Sequence, residues 1–508
     1  MTKNTRAPVL WIFVIVLLAM TAVVLIMKTH AYGLLGWDTY PIIVTSRVQS
    51  FGDFLGSFTE KLMDGRYAGD FYRPVLNLSF AVDHAIWNLR PFGYQLTNLL
   101  LFLACAASLT LLARRLIGSS SIVAPLGTLV FFLLHPTHFE VIPAPARRPE
   151  LLACLFMTMS LAWQLSPRAL SAVRASWKPA LLALLAFGSK ETALVLPLLS
   201  FICVYLYSPQ RTASLRLRHA VKALLPHIAA LALALAVRFA VLGGMGGHAS
   251  TQTSGAITRL PEHAARLCKL LLFPQPGVGT ESRGWLGWLL LLALLAGGIA
   301  TLYFARRHAA AGSTGSTNRG HPIRGATLAL AWLAVIGVTY AIAGEIEPWY
   351  LLLGVGGISL LAGLLAHVLI RAVRFGREPA RLIASLSLLI LIVLGISQAR
   401  YSPIVHNYDE WERGTRVGDN FLAEIKSAVE SAPNGSVVQA PPVPTRLRPS
   451  RQGPRIWGVA ILTDYSVQAW AELTMPNRRV RVSRGGSQSP TAAPDEVVVL
   501  ITQQRIGQ

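Results

Sequence analysis

The sequence predicts an α-helical polytopic membrane protein of about 11 transmembrane helices, with a small C-terminal extracytoplasmic α/β domain. Three observations carry that reading. Of 508 residues, 53% are hydrophobic and 14% are charged, and the mean hydropathy is +0.49. Apolar runs of roughly 18 or more residues, the length that crosses a bilayer core, recur along the chain. The loops between these runs alternate between strongly basic and not, as the positive-inside rule requires.

The spans read as 8–27, 93–113, 121–136, 149–165, 177–189, 190–207, 219–242, 284–305, 325–343, 349–370 and 381–399. The first follows Lys3 and Arg6 but is longer than a signal-peptide core and lacks a small-residue cleavage site, so it is expected to be retained. With the N-terminus inside, the cytoplasmic loops hold Arg114 and Arg115; Arg168, Arg174 and Lys178; Arg211, Arg216 and Arg218; Arg306, Arg307, Arg319 and Arg324; and Arg371, Arg374, Arg377 and Arg381. An odd number of spans then places the tail outside. The expected division is a membrane domain over 1–400, with a large first outer loop at about 28–92, and a small outer domain over 401–508. The expected location is a bacterial cytoplasmic membrane.

Within the first loop, "IIVTSRVQSFGDFLGSFTEKLM" spaces apolar residues as a helix lying on the membrane would. In the tail, "YDEWERGTRVGDNFLAEIKSAVESA" reads as a soluble helix. "SVVQA", "RIWGVAIL" and "DEVVVLITQQR" read as strands, and "PPVPTRLRPSRQGP" as a loop. Residues 309–320, "AAAGSTGSTNRG", read as a flexible linker.

The formal net charge of +22 does not imply a nucleic-acid partner, because most of the basic residues ahead of the tail sit in short loops between spans. Cys105, Cys154 and Cys203 lie in apolar runs and Cys268 in a short amphipathic segment. Their spacing suggests no metal site, and they read as small buried apolar residues. "NLS" at Asn77 and "NGS" at Asn434 match the N-glycosylation pattern, which short sequences meet often by chance.

Five polar clusters fall on the outer side. "GWDTYPII" sets Asp38 just past the first span between Trp37 and Tyr40. An acid held at that depth loses solvation and becomes a useful base or cation ligand, whereas in an open loop it is simply a solvated carboxylate. "HPTHFEVIPAPARRPELL" carries His135, His138, Glu140, Arg147, Arg148 and Glu150. Its two arginines are basic on the wrong side, which an anionic partner would explain. His135, His138 and Glu140 have no spacing diagnostic of a metal. "GSKETALVLPLL" carries Lys190 and Glu191, either a local ion pair or a phosphate ligand with its orienting acid. "AGEIEPWYLLLGVGG" carries Glu345 and Glu347, which read best as a polar turn. "FYRPVLNLSFAVDHAIWNLRPFGYQLTN" places Arg73, Asp83, His84 and Trp87 along an amphipathic helix. A carboxylate, several cations and interfacial aromatics at one membrane surface suit an anionic, lipid-linked substrate.

The stretches "FYRPVLNLSFAVDHAIWNLRPFGYQLTNLLL", "HPTHFEVIPAPARRPELLACLF", "SKETALVLPLL" and "EPWYLLLGVGGISLLAG" occur in that order. The pattern resembles the multi-pass glycosyltransferases of the GT-C superfamily, in particular the membrane core of the transmembrane, tetratricopeptide-repeat O-mannosyltransferases and their bacterial relatives. It covers about residues 30 to 365. The resemblance implies an inverting transfer of a sugar from a polyprenyl-phosphate donor to an acceptor hydroxyl on the extracytoplasmic face. The acceptor would be a glycan, a lipid or a protein. By the same resemblance Asp38 is the general base. Arg148 and Glu150 match the family's basic–acidic pair, and Lys190 and Glu191 match its "SKE". Together with Arg73, Asp83, His138 and Glu140 they form the expected substrate-binding set. No cofactor is assigned, and a divalent metal is left open. The sequence departs from the family where Thr39, not a second acid, follows Asp38, where Pro348-Trp349-Tyr350 replaces an Arg before Tyr, and in a tail without tetratricopeptide repeats. The competing reading is a transporter or flippase, or a ligase, for lipid-linked glycans. A transporter would want ionisable residues within its spans, and here Arg238 and His367 are the main ones. A non-catalytic scaffold would tolerate loss of Asp38.

Overall fold

The computed structural model describes residues 6–66, 70–118, 121–171, 177–244, 246–247, 271, 296, 299, 321–343, 347–376, 378–407, 409–433, 437–440, 442–447, 459–477, 481–484 and 498–500. Most of the expected helix 284–305, the linker 309–320, Cys268, Asn434, Glu345, and the tail residues Arg448, Arg451, Arg455, Arg478 and Arg479 lie outside the described residues.

The helices, in chain order, are α1 (Arg6–Thr29), α2 (Thr39–Thr45), α3 (Phe51–Thr59), α4 (Pro74–Trp87), α5 (Pro91–Ile117), α6 (Val123–Leu133), α7 (His138–Val141), α8 (Arg148–Gln164), α9 (Pro167–Ser171), α10 (Trp177–Phe187), α11 (Leu196–Tyr207), α12 (Ala213–Leu242), α13 (His321–Ala343), α14 (Leu352–Phe375), α15 (Glu378–Ala399), α16 (Asp409–Ser431) and α17 (Asp464–Thr474). Prolines open α4, α5 and α8, at first-turn positions where an N–H would have no helical partner anyway. Six of them, α1, α5, α12, α13, α14 and α15, are long and apolar enough to cross a membrane, so the chain is a multi-pass membrane protein. Four further expected spans are shorter: α6, α8, α10 and α11 have 11, 17, 11 and 12 residues.

The bundle closes through small residues, as membrane helices do when they lack a hydrophobic drive to associate. Gly127 of α6 faces Gly363 of α14, and a Cβ on Gly363 would lie 2.6 Å from the backbone nitrogen of Thr128. Trp332 of α13 donates its indole N–H to the Leu353 carbonyl of α14 at 2.9 Å. Phe102, Leu109, Phe132, Met157, Leu199 and Leu360 fill the shared core. Cys105, Cys154 and Cys203 are buried free thiols, as expected. Of the ionisable residues flagged in the spans, His367 meets the Ser121 hydroxyl at 2.8 Å and Arg238 meets Glu191 at 3.0 Å.

In the first loop the single amphipathic helix expected over 42–63 is broken. Buried α2 stops at Thr45, and α3 starts afresh at Ser50, whose hydroxyl caps Asp53 while the Asp53 carboxylate accepts from the Ser50 backbone. The capping box outweighs the continuous apolar spacing. Phe51, Phe54, Leu55 and Phe58 of α3 remain exposed.

The tail contains the expected helix, α16, and strands β1 (Val437–Ala440), β2 (Arg446–Leu447), β3 (Val459–Ala460), β4 (Arg481–Arg484) and β5 (Val498–Leu500). The strands β4-β1-β5 form a parallel sheet, with Val437 opposite both Arg481 and Val498, and β2 pairs antiparallel with β3. The stretch expected as a loop therefore contains β2, and α17 and β4 are additions to the expected elements. The tail shares one apolar core with the first loop: Leu35, Ile43, Leu76 and Phe80 pack with Trp411, Ile425, Ile461 and Val467. Lys28, at the end of α1, anchors the chain entering the tail by donating to the carbonyls of Pro403, Ile404 and His406 at 3.0, 2.9 and 3.1 Å.

Candidate functional site

Glycine sets up the first residue of the site. Gly36 has φ +100°, a left-handed value that a side chain would strain, and Thr39 N–H closes the turn on its carbonyl at 3.0 Å. Trp37 and Asp38 are thereby presented ahead of α2. Asp38 occupies the N-cap position of α2, yet its carboxylate makes no capping bond. Instead its Oδ1 accepts from the Tyr465 hydroxyl at 2.8 Å.

Asp38 lines a cavity together with Arg73, Arg147, Glu150, Lys190, Glu347, Trp349, Tyr350 and Tyr465. Residues from all five sequence clusters and from the tail thus meet in one place. Arg73, just ahead of α4, binds Glu191 through Nη2 at 2.8 Å and Nε at 3.2 Å, and Arg238 of α12 binds the other oxygen of Glu191 at 3.0 Å. The Lys190 ammonium bonds Glu150 and lies 4.3 Å from the Tyr350 ring centroid. Arg446 of β2 pairs with Glu347 at 3.5 Å and lies 5.0 Å from the Trp37 ring centroid.

Arg147 differs from the other cations. Its guanidinium stacks 3.6 Å from the Trp349 ring centroid, and among the described residues it has no carboxylate within 4.0 Å. Among the described residues its Nη2, the Trp349 indole Nε1 and the Glu150 Oε2 are buried without a hydrogen-bond partner. Orphaned buried donors are costly, and two of them on one cavity wall, one cationic, form a place where an anion would be held.

Of the expected set, Asp38, Arg73, Glu150 and Lys190 line the cavity, and Glu191 backs it through Arg73. Asp83 and Arg148 are not brought to it. Arg148 is fully buried and saturated: Nη2 reaches Asp83 at 2.5 Å and the Tyr94 carbonyl at 3.2 Å, Nε reaches Asn98 at 2.9 Å, and Nη1 reaches the Ser79 carbonyl at 3.1 Å. Asp83 also accepts from Thr97 at 2.7 Å. His138 lies between the Phe102 and Phe132 rings, at 4.6 and 4.8 Å, and its Nε2 meets the Phe132 carbonyl at 2.5 Å. Burial, with His135 beside it, pushes it down to about 3. Glu140 is buried with Oε1 unpartnered among the described residues, and burial pushes it up to about 8 against the pull of Arg147. His135 instead meets Thr137 and the Leu271 carbonyl. Among the described residues no three His, Cys, Asp or Glu side chains are placed to hold a metal ion. The sequence reading left out Trp349, Tyr350 and Tyr465. Arg147 carries a signal in the sequence, basic charge in an outer turn, but the resemblance points to its neighbour Arg148.

No family model matches the chain. Among solved structures it is similar to ArnT from Cupriavidus metallidurans bound to undecaprenyl phosphate, at TM-score 0.49 and 15% identity over 92% of this chain and 89% of that one. It is similar to the arabinofuranosyltransferase AftD from Mycobacteria at TM-score 0.46 and 17% identity over 93% and 33%. Among curated proteins, the Drosophila melanogaster protein O-mannosyl-transferase Tmtc1 is 31% identical over 155 residues, covering 30% of this chain and 17% of that protein. The mouse and human protein O-mannosyl-transferase TMTC2 are each 32% identical over 108 residues, 21% of this chain and 13% of theirs. Over about a fifth to a third of its length, therefore, this membrane protein is similar in sequence to the protein O-mannosyl-transferases, of whose own length the match spans less than a fifth.

Proposed function

We propose that the chain is a membrane glycosyltransferase that moves a sugar from a polyprenyl-phosphate donor to an acceptor hydroxyl, with inversion and with Asp38 as general base. The observation that supports it is the union, in one cavity, of a carboxylate with a stacked arginine and an indole whose donors are unpaired. The local likeness to O-mannosyl-transferases agrees with it.

In the reaction, the bond between the sugar's anomeric carbon and the phosphate oxygen breaks, and the phosphate leaves with the electron pair. The acceptor oxygen bonds that carbon from the opposite face while its proton passes to Asp38. Arg147, with the Trp349 N–H, receives the departing phosphate. Cations placed where negative charge develops on the phosphate, as it departs from an oxocarbenium-like sugar, give the largest stabilisation when they need no reorganisation, and stacking on Trp349 holds Arg147 ready. Arg73 and Lys190, each tied to a carboxylate, shape the cavity floor. The donor tail and the bundle meet at the membrane surface, and the acceptor is a glycan, lipid or protein.

The test is label transfer from a polyprenyl-phosphate sugar in membranes carrying the native chain or Asp38→Asn at equal amounts. Loss of a general base costs about 10²–10⁴-fold. Equal transfer by both places the base elsewhere.

A further inference from the structure

We propose that Tyr465, delivered by the C-terminal segment, is a positioning residue for Asp38, fixing the carboxylate through Oδ1 so that an acceptor hydroxyl meets it at Oδ2. The consequence for catalysis rests on the transfer reaction proposed above, but the contact itself rests on geometry.

Tyr465 lies 427 residues from Asp38 in sequence and donates to it at 2.8 Å. Among the described residues no other side chain donates to that carboxylate. The phenol is held firmly. Tyr465 is in the first turn of α17, whose capping box joins Thr463 and Ser466, and the Ser466 hydroxyl donates onward to the Trp37 carbonyl, one residue before Asp38. The Trp37 indole N–H donates to the Thr445 carbonyl at 2.8 Å, and Gly36 N–H to the Ile461 carbonyl at 3.1 Å. Val467 and Trp470 of α17 are buried in one core with Ile42 and Ile43 of α2. Two backbones are therefore bonded together on either side of the Tyr465–Asp38 contact.

The identity of the donor matters. The other carboxylates that line or back the cavity carry cations: Glu150 has Lys190, Glu191 has Arg73 and Arg238, and Glu347 has Arg446. Asp38 alone among them has a neutral donor, although Arg73, Arg147 and Lys190 line the same cavity with Glu150, Glu347 and Tyr350. A neutral hydroxyl fixes the rotation of the carboxylate without cancelling the charge that must take a proton.

The contact can be tested with the full chain and without turnover. The infrared carboxylate stretching band lost in Asp38→Asn identifies that group, and its position is read with and without Tyr465→Phe. Removal of the phenol hydroxyl shifts the band, because the carboxylate oxygen loses its hydrogen-bond donor. Turnover falls about tenfold, with the acceptor KM close to the native value. An unmoved band overturns the proposal, as does faster turnover, which would make the phenol a block on the acceptor. If the band moves but the native chain transfers no sugar, the positioning contact stands and the transfer reaction does not.

Discussion

Two adjacent arginines stand in opposite surroundings. Arg148 is fully buried and surrounded by acceptors, with Asp83, Asn98, Ser79 and Tyr94 all within 3.2 Å of it. Arg147, one residue earlier, lies on an indole face with a buried Nη2 that has no partner among the described residues. One polar group is satisfied by the protein and the other is left for something else. A saturated cation holds a fold together, whereas an unsaturated one is open to the anion proposed above.

The comparison breaks most visibly at Arg148. Replacing it with Leu leaves Asp83 buried without its cation, and loss of one partner of a buried pair costs about 3–5 kcal/mol. The expected outcome is a large drop in folded yield and melting temperature, with part of it restored when Asp83→Leu is added. If Arg148→Leu folds normally and loses only donor binding, the two arginines have exchanged roles. Arg147→Gln sharpens the contrast. Its melting temperature stays close to the native value, while binding of a polyprenyl phosphate, measured against the neutral polyprenol, weakens about 10- to 100-fold, the range for one hydrogen-bonded contact to a charged group. Unchanged binding removes Arg147 from the site.

The smallest effect concerns Glu140, buried beside the same turn. Its carboxyl is pushed up to about 8 in the folded chain from the usual 4.5. Between those values the folded state binds more protons than the unfolded one, so stability falls as pH rises. From pH 6 to 7 the native chain loses at most about 1.4 kcal/mol, and Glu140→Gln flattens that slope. Melting temperatures at the two pH values decide it, and equal slopes would mean that Glu140 is solvated.

Local patterns in the sequence explain which parts of this were legible. Hydropathy and basic loops marked the long helices, because crossing a bilayer requires apolar length within one segment. The same reading merged α2 with α3, since apolar spacing continues across a break that the Ser50–Asp53 capping box makes. Asp38 stood out because a carboxylate between aromatic residues beside a span is unusual in itself. Arg147 and Arg148 could not be told apart, because nothing in "PARRPELL" says which of them faces Asp83, 65 positions away from Arg148.

By itself, then, the sequence determined the membrane class and the polar clusters between helices, Asp38 among them. The tertiary structure alone decided which cations are already tied to carboxylates, that Arg147 and Trp349 are left with unmatched donors, and that a tyrosine from the far tail reaches the carboxylate. The physical reason is one of range. Periodicity and hydropathy are set by neighbours a few residues apart, whereas the partner of a buried charge is chosen by packing across the whole chain.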